Sequence, residues 1–478
     1  MADNARSAAE IFGRICEAEE RLNLFQHQLD GWCVWPIFRK TVADRLGGTQ
    51  HATASGVSAG RGWILPHALR DIGKLARLER SETLVKTYSS GLLDRDDDGR
   101  YRDIWFDDLL DELGAATKIE ALNSTSFLSR RPNRVRPESL TTSLSSLIGN
   151  SVVPRMPASR EVRRVADALA AVLAEAFGDV LSANAIVAVL AGFQWERRFY
   201  KTVLRWVKPR RVLIADYGEY ALASVAKEMS VPVLELQHGV TDRYHPAYSW
   251  TAAPLNYRDK MPIADRLLVY GEFWKEEMET GGYWNGYLDV TGSPRIDRWR
   301  ARKLSWSERR RAIVLTTQGI HSRALAEIVR SAAAVAGADL EILIKLHPVF
   351  EGANRELADL LEGCPRVTII PAADAVSTLD LLGKVKLHAS VSSATHFDAL
   401  ALGTPTAVIA LPGHEVVLPL VTRGDAKLVR SGEDMVSVFS AAAEVPANVG
   451  ACYFSTDALR RTRAAVEAAG SNSIQTAH

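Results

Sequence analysis

Two stretches in the second half of the chain decide the fold: residues 345–350 read KLHPVF and residues 386–395 read KLHASVSSAT. In each, an apolar run of the kind that forms a buried strand gives way to polar residues. Such runs alternate with helical patterns in this half, which is typical of parallel sheets flanked by helices. Because ligands bind at the carboxyl ends of the strands of such sheets, both polar segments are candidate ligand-binding loops.

The serine-rich segment predicts an anion site. Ser392, Ser393 and Thr395 stand at the predicted start of a helix in SSATHFDALALG, where hydroxyls and backbone N–H groups meet the positive end of the helix dipole. Ordinary helix capping is the alternative. With His347 at the same predicted edge, the pattern favours a nucleotide or sugar-phosphate ligand. Four more residues at strand ends complete the predicted ligand-binding set: Lys345, Pro348, Gln318 and Gly319.

Some of these residues have a second interpretation. His347 can hydrogen-bond a phosphate, or it can simply cap a strand end, and Pro348 restricts the chain as it leaves that strand. Lys345 either points toward the ligand or is a solvated charge. Gln318 and Gly319 belong to TTQG, a glycine-bearing turn after the first strand of this half.

Acid–base candidates lie earlier in the chain. His238 follows the apolar run VLEL and can accept a proton near neutral pH. Asp216 ends the run VLIAD and is a candidate general base or, in a retaining mechanism, a nucleophile. Glu219 is the weaker acidic candidate. Each of the three also has a structural alternative. His238 can be a loop histidine bonded to its neighbours, Asp216 can cap the following helix, and Glu219 can be an acid in the first turn, where the helix dipole favours it.

The patterns predict an α/β protein with two Rossmann-like domains and a cleft between them, because 478 residues exceed one compact core. We expect an N-terminal helical extension and linker at residues 1–75 and a first Rossmann-like domain at residues 76–288. A second Rossmann-like domain is expected at residues 289–445, and a helix with a tail at residues 446–478.

Composition excludes several classes of protein. The net charge of +1 offers no basic excess for nucleic acid. The sequence contains no apolar run of about 20 residues, so it predicts no membrane span. The N-terminus lacks the apolar core of a signal peptide. The four cysteines are scattered, which favours reduced thiols and a cytoplasmic protein. The aspartate-rich stretch DRDDDGRYRD lacks the glutamate of a calcium loop, so we expect a polar hairpin or loop and no metal.

Two surface features remain open in the sequence. The aromatic residues Trp32, Trp35 and Phe38 are expected to pack in the core, with an interfacial anchor at the inner membrane as the alternative. The basic run at residues 129–137 is expected to be solvated, with contact to an anionic acceptor or a membrane surface as the alternative.

Residues 200–425 carry a family resemblance. The pairs His347-Pro348 and Ser392-Ser393, the element Gln237-His238-Gly239 and the stretch PIADRLLVYGEFW resemble GT-B glycosyltransferases of bacterial surface-polysaccharide assembly. The group that includes the Kdo and sialic acid transferases is the most similar. Wall teichoic acid polyol-phosphate transferases also carry His-Gly and His-Pro elements. One departure is ADYGEY, which stands where the sialyltransferases have an acidic-acidic-Gly motif.

The resemblance implies a GT-B architecture and glycosyl transfer. It places a nucleotide-sugar donor, with a CMP-sugar favoured, at the second domain, and a glycan or glycolipid acceptor at the first. It implies no cofactor beyond the donor and allows peripheral contact with the inner membrane. Two other functions stay open: a CDP-polyol phosphotransferase of the teichoic-acid type and a non-catalytic scaffold subunit. The sequence predicts no oligomeric state.

Overall fold

A computed structural model describes residues 7–47, 64–88, 93–95, 98–121, 133–347, 350–371 and 376–475. The chain divides into two compact units. The first comprises Met1–Val269, Trp274–Thr291 and Leu459–His478, and the second comprises Tyr270–Phe273 and Gly292–Ala458. Both units are discontinuous in the chain.

The first unit is built on a parallel sheet of seven strands. Along the chain, the strands of this unit are β1 (Gln28–Leu29), β2 (Trp32–Cys33), β3 (Thr83–Tyr88), β4 (Leu93–Arg95), β5 (Tyr101–Asp103), β6 (Ala116–Ala121), β7 (Leu140–Thr141), β8 (Arg211–Ile214), β9 (Val233–Leu236), β10 (Arg266–Val269) and β11 (Leu288–Val290). The order in the sheet is β11-β10-β9-β8-β3-β6-β7, so the direction of winding reverses between β3 and β8. That reversal is the topological switch point, where open α/β sheets bind ligands.

Two short hairpins accompany this sheet. Strands β1 and β2 pair antiparallel, as do β4 and β5, so the aspartate-rich stretch forms the predicted hairpin. Trp32, Trp35 and Phe38 are buried, which confirms the expectation that they pack in the core. These side chains are therefore not available as a membrane anchor.

The second unit repeats the architecture with six parallel strands. They are β12 (Arg310–Thr316), β13 (Glu341–Lys345), β14 (Val367–Ile370), β15 (Val385–Ser390), β16 (Thr406–Ile409) and β17 (Ala426–Val429). Their order is β14-β13-β12-β15-β16-β17, and the switch point lies between β12 and β15. Both units are thus Rossmann-like, as predicted. The central strands are buried apolar runs because helices cover both faces of the sheet.

Helices join most of these strands. The helices are Ala8–Leu22, Trp35–Leu46, Ile64–Leu75, Asp107–Leu113, Ser143–Ser151, Arg160–Phe177, Ala183–Val207, Tyr220–Glu228, Glu272–Glu279, Pro294–Arg300, Ser322–Val335, Glu351–Leu360, Thr378–Leu382, Thr395–Ala401, Leu418–Thr422, Gly432–Ser440, Ala447–Tyr453 and Ala458–Gln475. Short 3-10 segments occur at Leu24–Gln26, Val153–Arg155, Ala253–Lys260, Trp306–Glu308 and His414–Val417. Within the described ranges, no helix is both long enough and apolar enough to cross a membrane.

Candidate functional site

In the second unit, the loops after β12 and β15 meet at the switch point. The backbone N–H and the hydroxyl of Ser392 both donate to Oε1 of Gln318, at 2.9 and 3.0 Å. Gly319 has a φ of +70°, and a Cβ there would stand 2.3 Å from the Phe350 ring, so only glycine fits. The structure therefore brings together three of the predicted ligand-binding residues: Gln318, Gly319 and Ser392.

His347 follows β13, the strand next to β12. Its backbone N–H donates to Thr317 Oγ1 at 2.9 Å, and its carbonyl accepts from Asn354 Nδ2 at 2.6 Å. Its ring packs against Phe350, with 4.8 Å between the ring centroids. Burial lowers the pKa of His347, so the imidazole is neutral at neutral pH. Pro348 lies outside the described residues.

Lys345 is not a solvated charge. Its side chain is buried, with only 8% of the residue exposed. The ammonium donates to the carbonyl of Pro371 at 3.0 Å. The alternative of a solvated lysine is therefore wrong, because the buried ammonium binds a backbone oxygen in the loop directly after β14.

The helix after β15 begins later than predicted. Its first residue is Thr395 and its N-cap is Ala394, so Ser392 and Ser393 lie before the helix. The reason is local hydrogen bonding: the Ser393 hydroxyl accepts from the backbone N–H of Thr395 at 3.2 Å, while Ser392 is held by Gln318. The predicted helix start at Ser392 is therefore wrong by three residues, although the hydroxyls still stand at the strand end.

The Thr395 hydroxyl takes part in a buried network. It lies 2.9 Å from Thr316 Oγ1 and 3.1 Å from Nε2 of His388. On its other side, His388 contacts Thr406 through Nδ1 at 2.8 Å. Burial keeps the pKa of His388 well below its ordinary value, so this ring is neutral. The network joins the start of the helix to β12, β15 and β16. Thr395 therefore has a structural role.

In the first unit, Asp216 follows β8 at the other switch point. Its Oδ1 accepts from the backbone N–H of Gly218 at 2.7 Å, which makes a tight turn directly after the strand. The next helix, Tyr220–Glu228, has Glu219 at its N-cap position. The alternative of Asp216 as the cap of this helix is therefore wrong.

Glu219 is paired with a lysine. Its carboxylate accepts from Lys86 Nζ on β3, and both side chains are largely buried. Tyr88, two residues further along the same strand, donates to the same oxygen at 3.4 Å. Glu219 was expected in the first turn of this helix and stands at its N-cap, one residue earlier, where its ion pair with Lys86 joins β3 to the loop after β8.

His238 follows β9 and is held from one side by a hydroxyl. Tyr248 Oη lies 3.0 Å from His238 Nδ1 and donates its own proton to Glu235. A phenol has one proton, so while Tyr248 donates to Glu235, either to the carboxylate or to the carbonyl oxygen of the neutral acid, the proton of its contact with His238 comes from Nδ1–H. Nε2 then carries the lone pair that a general base needs.

The electrostatics keep this group neutral. Burial lowers the pKa of His238, and the charge of Asp216 opposes part of that shift. Burial raises the pKa of Glu235 to about 8, so its carboxyl is largely protonated at neutral pH. Burial also lowers the pKa of His245 to about 3. The histidines and the buried acid therefore add little charge beside Asp216.

Aromatic side chains surround His238. The ring centroids of Tyr217 and His238 are 6.2 Å apart, and those of His245 and Tyr248 are 5.0 Å apart. Sequence reasoning missed Tyr217, His245 and Tyr248. A signal was present: the stretch RYHPAYSW, rich in histidine and tyrosine, follows QHGV almost directly.

The loop that carries Tyr248 is held by the N-terminal helices. Arg39 donates through NH1 to the carbonyls of Pro246 and Ser249, at 2.5 and 2.8 Å. Its Nε donates to Glu19 at 2.5 Å, and both side chains of this ion pair are fully buried. Residues 1–190 had no functional assignment from sequence, yet Arg39 fixes the backbone on both sides of the tyrosine that binds His238.

Solved structures of three proteins are similar to this chain. A UDP-GlcNAc 2-epimerase from Methanocaldococcus jannaschii is 14% identical, covers 80% of this chain and 99% of its own, and has a TM-score of 0.51. A putative UDP-N-acetylglucosamine 2-epimerase from Listeria monocytogenes is 14% identical, with coverages of 82% and 97% and a TM-score of 0.51. The wall teichoic acid polymerase TagF is 12% identical, with coverages of 96% and 99% and a TM-score of 0.46.

No protein-family model and no curated protein sequence matches the chain. At 14% identity the epimerases establish the fold alone. The chain therefore has a GT-B-like fold, as predicted, while the closer likeness to Kdo and sialic acid transferases stays a prediction. In the parts of the chain that the structure describes, no three His, Cys, Asp or Glu side chains are grouped as metal ligands.

Proposed function

We propose that this protein is a glycosyltransferase that moves a sugar from a nucleotide-activated donor, with a CMP-sugar favoured, to a surface polysaccharide or lipopolysaccharide acceptor. One observation carries the proposal: Gln318 and Ser392 meet at the switch point of the second sheet, with His347 at the end of the next strand. The motifs of the family resemblance thus occupy the edge where such sheets bind nucleotides. The donor serves as substrate and no separate cofactor is proposed.

The second unit offers hydrogen-bond donors that suit a phosphate. Ser392 now directs its N–H and its hydroxyl at one amide oxygen of Gln318, and a phosphate oxygen is an acceptor of the same kind. Breaking the bond between the sugar and the nucleotide phosphate releases an anion, which fixed hydrogen-bond donors stabilise. Neutral His347 adds one ring N–H to these donors.

The first unit offers the acid–base chemistry. In the proposed step, Nε2 of His238 takes the proton of the acceptor hydroxyl while the acceptor oxygen bonds to the anomeric carbon. The bond from that carbon to the phosphate oxygen breaks, and its electron pair leaves with the nucleotide. Asp216 stabilises the imidazolium that forms, or serves as the nucleophile in a retaining course. Glu219 is the weaker candidate because Lys86 already pairs with it.

A CDP-polyol phosphotransferase is the second candidate, because His238-Gly239 and His347 both stand at strand ends, as that reading also expects. Incubation with labelled CMP-sugars, UDP-GlcNAc and CDP-glycerol separates the functions. Phosphate that stays with the nucleotide supports glycosyl transfer, and phosphate that moves to the product supports the polyol reaction. An intact nucleotide sugar in which the configuration at C2 of the sugar is inverted would indicate epimerisation. No turnover of any donor would support a scaffold subunit.

We expect His347→Ala to lower turnover by about 10²–10³-fold, as loss of one donor to a developing anion does. The melting temperature should change little, because the hydrogen bonds to Thr317 and Asn354 use the backbone of residue 347. Asn354→Ala is the comparison, since it removes the donor to that backbone carbonyl and should lower stability. A strand-capping role for the imidazole would instead make the two variants equally unstable, with activity per folded molecule intact.

We expect Ser392→Ala combined with Ser393→Ala to weaken nucleotide binding by about 10–100-fold, because hydrogen bonds to charged groups contribute about 1.5–3 kcal/mol. Calorimetric titration with CMP, CDP, UDP and GDP measures this. Ser305→Ala is the matched control: it removes a capping serine of the same unit that precedes the amino end of β12. Equal affinity in the double variant and the control would overturn the donor site.

A further inference from the structure

The helix Ile64–Leu75 presents its apolar side to solvent. Leu65, Leu69 and Ile72 are 48%, 61% and 53% exposed, while Ala68 and Asp71 are 1% exposed. The three aliphatic residues are spaced four and three apart, so they form one stripe along the helix. A helix at the surface of a globular protein ordinarily buries such a stripe and exposes its polar residues. Here the arrangement is inverted.

Specific polar contacts hold the helix in this orientation. Asp71 accepts from the hydroxyl and from the backbone N–H of Thr141 on β7. Lys74 pairs with the buried carboxylate of Glu138 at 3.1 Å. These bonds direct the polar side of the helix inward, so the outward position of the aliphatic stripe is built into the fold.

Exposed basic side chains lie close in sequence to the stripe, and further exposed side chains come after the neighbouring helix in the chain. Helix Ser143–Ser151 packs beside Ile64–Leu75, and after it come Val152 and Met156, which are 47% and 60% exposed. Exposed arginines occur at Arg70 on the first helix and at Arg77 and Arg80 after it, beside the exposed Glu79, and at Arg155 between Val152 and Met156. Apolar stripes flanked by arginine are the pattern of helices that lie in a membrane interface.

We propose that the outward face of the helix Ile64–Leu75 binds the headgroup region of an anionic phospholipid bilayer. Leu65, Leu69 and Ile72 enter the boundary of the acyl chains, and the arginines contact lipid phosphates. Charge complementarity selects this partner: a second copy of the same face would set like-charged arginines against each other, whereas anionic lipids attract each basic residue. The proposal is independent of the donor and acceptor assigned above.

Co-sedimentation of the full chain with vesicles tests the proposal. We expect binding to vesicles of equal parts phosphatidylcholine and phosphatidylglycerol, and weaker, salt-insensitive binding to phosphatidylcholine alone. Replacing Leu65, Leu69 and Ile72 together by Gln should reduce binding to the anionic vesicles at least about tenfold, because the apolar insertion is lost. Glutamine keeps the helix propensity close to that of leucine, so the fold is retained.

The control carries Val189→Gln and Leu255→Gln, two exposed aliphatic positions elsewhere in the first unit. It should bind like the wild type. Arg70→Gln with Arg77→Gln should weaken binding only to the anionic vesicles, and less so at high salt. No binding of the wild type, or equal binding of the triple variant, would overturn the proposal. So would self-association that the triple variant abolishes in the absence of vesicle binding, since that result assigns the stripe to a second copy.

Discussion

We expect His238→Ala to lower turnover by about 10²–10⁴-fold, the usual contribution of a positioned general base. Because Tyr248 contacts Nδ1, the nitrogen of His238 that would receive the acceptor proton is Nε2. The alanine variant has no imidazole and therefore loses this base. Nucleotide affinity should be unchanged, because the proposed donor residues belong to the other unit. Steady-state kinetics and calorimetry on the same preparation measure both quantities.

Tyr248→Phe is the matched variant for this prediction. It keeps the ring beside His245 and removes the hydroxyl that binds both His238 and Glu235, so we expect an intermediate loss of turnover. If Asp216 is instead a nucleophile, Asp216→Ala is the inactive variant, and intact-mass spectrometry of the wild type with donor alone detects a glycosyl adduct. Full activity in both His238→Ala and Asp216→Ala would contradict the whole assignment of the first unit.

The pH profile offers a separate measurement. Burial lowers the pKa of His238 below its ordinary value of 6.5, so the base form persists into mildly acidic solution. Turnover should therefore fall only as pH decreases through that lowered pKa, and the residual rate of His238→Ala should lack this acidic limb. A limb at or above 6.5 would indicate a different base.

We expect Arg39→Ala to lower the free energy of unfolding of the first unit by about 3–5 kcal/mol, because it leaves a buried, unpaired carboxylate. That carboxylate is Glu19, and the carbonyls of Pro246 and Ser249 lose their donor as well. Urea denaturation followed by tryptophan fluorescence measures the effect, since Trp35 and Trp250 are buried beside this ion pair.

Lys40→Ala is the control for Arg39→Ala. Lys40 is the next residue of the same helix and pairs with Asp44 at 2.7 Å, but both side chains of this pair are part-exposed. Such a pair contributes about 0.3–0.5 kcal/mol. The double variant Glu19→Gln with Arg39→Met should be more stable than Arg39→Ala, because it leaves no isolated charge. Equal effects of Arg39→Ala and Lys40→Ala would show that the buried pair does not hold the unit together.

Local sequence patterns determined most of the architecture. The run REVRRVADALAAVLAEAF predicts a helix and forms Arg160–Phe177, and VLEL and TAVI predict the strands β9 and β16. The reason is that buried strands and amphipathic helices depend on residues that are near neighbours in the chain. Strand β17, with the sequence AKLV, was missed because a four-residue run that contains a lysine is as typical of a loop as of an edge strand.

The sequence by itself also placed His238, Asp216, His347 and Ser392 at strand ends, since that position follows from the chain order alone. Only the tertiary structure decided what each side chain contacts. Gln318 reaches Ser392 across 74 positions, and Arg39 reaches Ser249 across 210. No local pattern encodes such pairs, because they depend on which strands become neighbours and on which buried polar groups must find a partner.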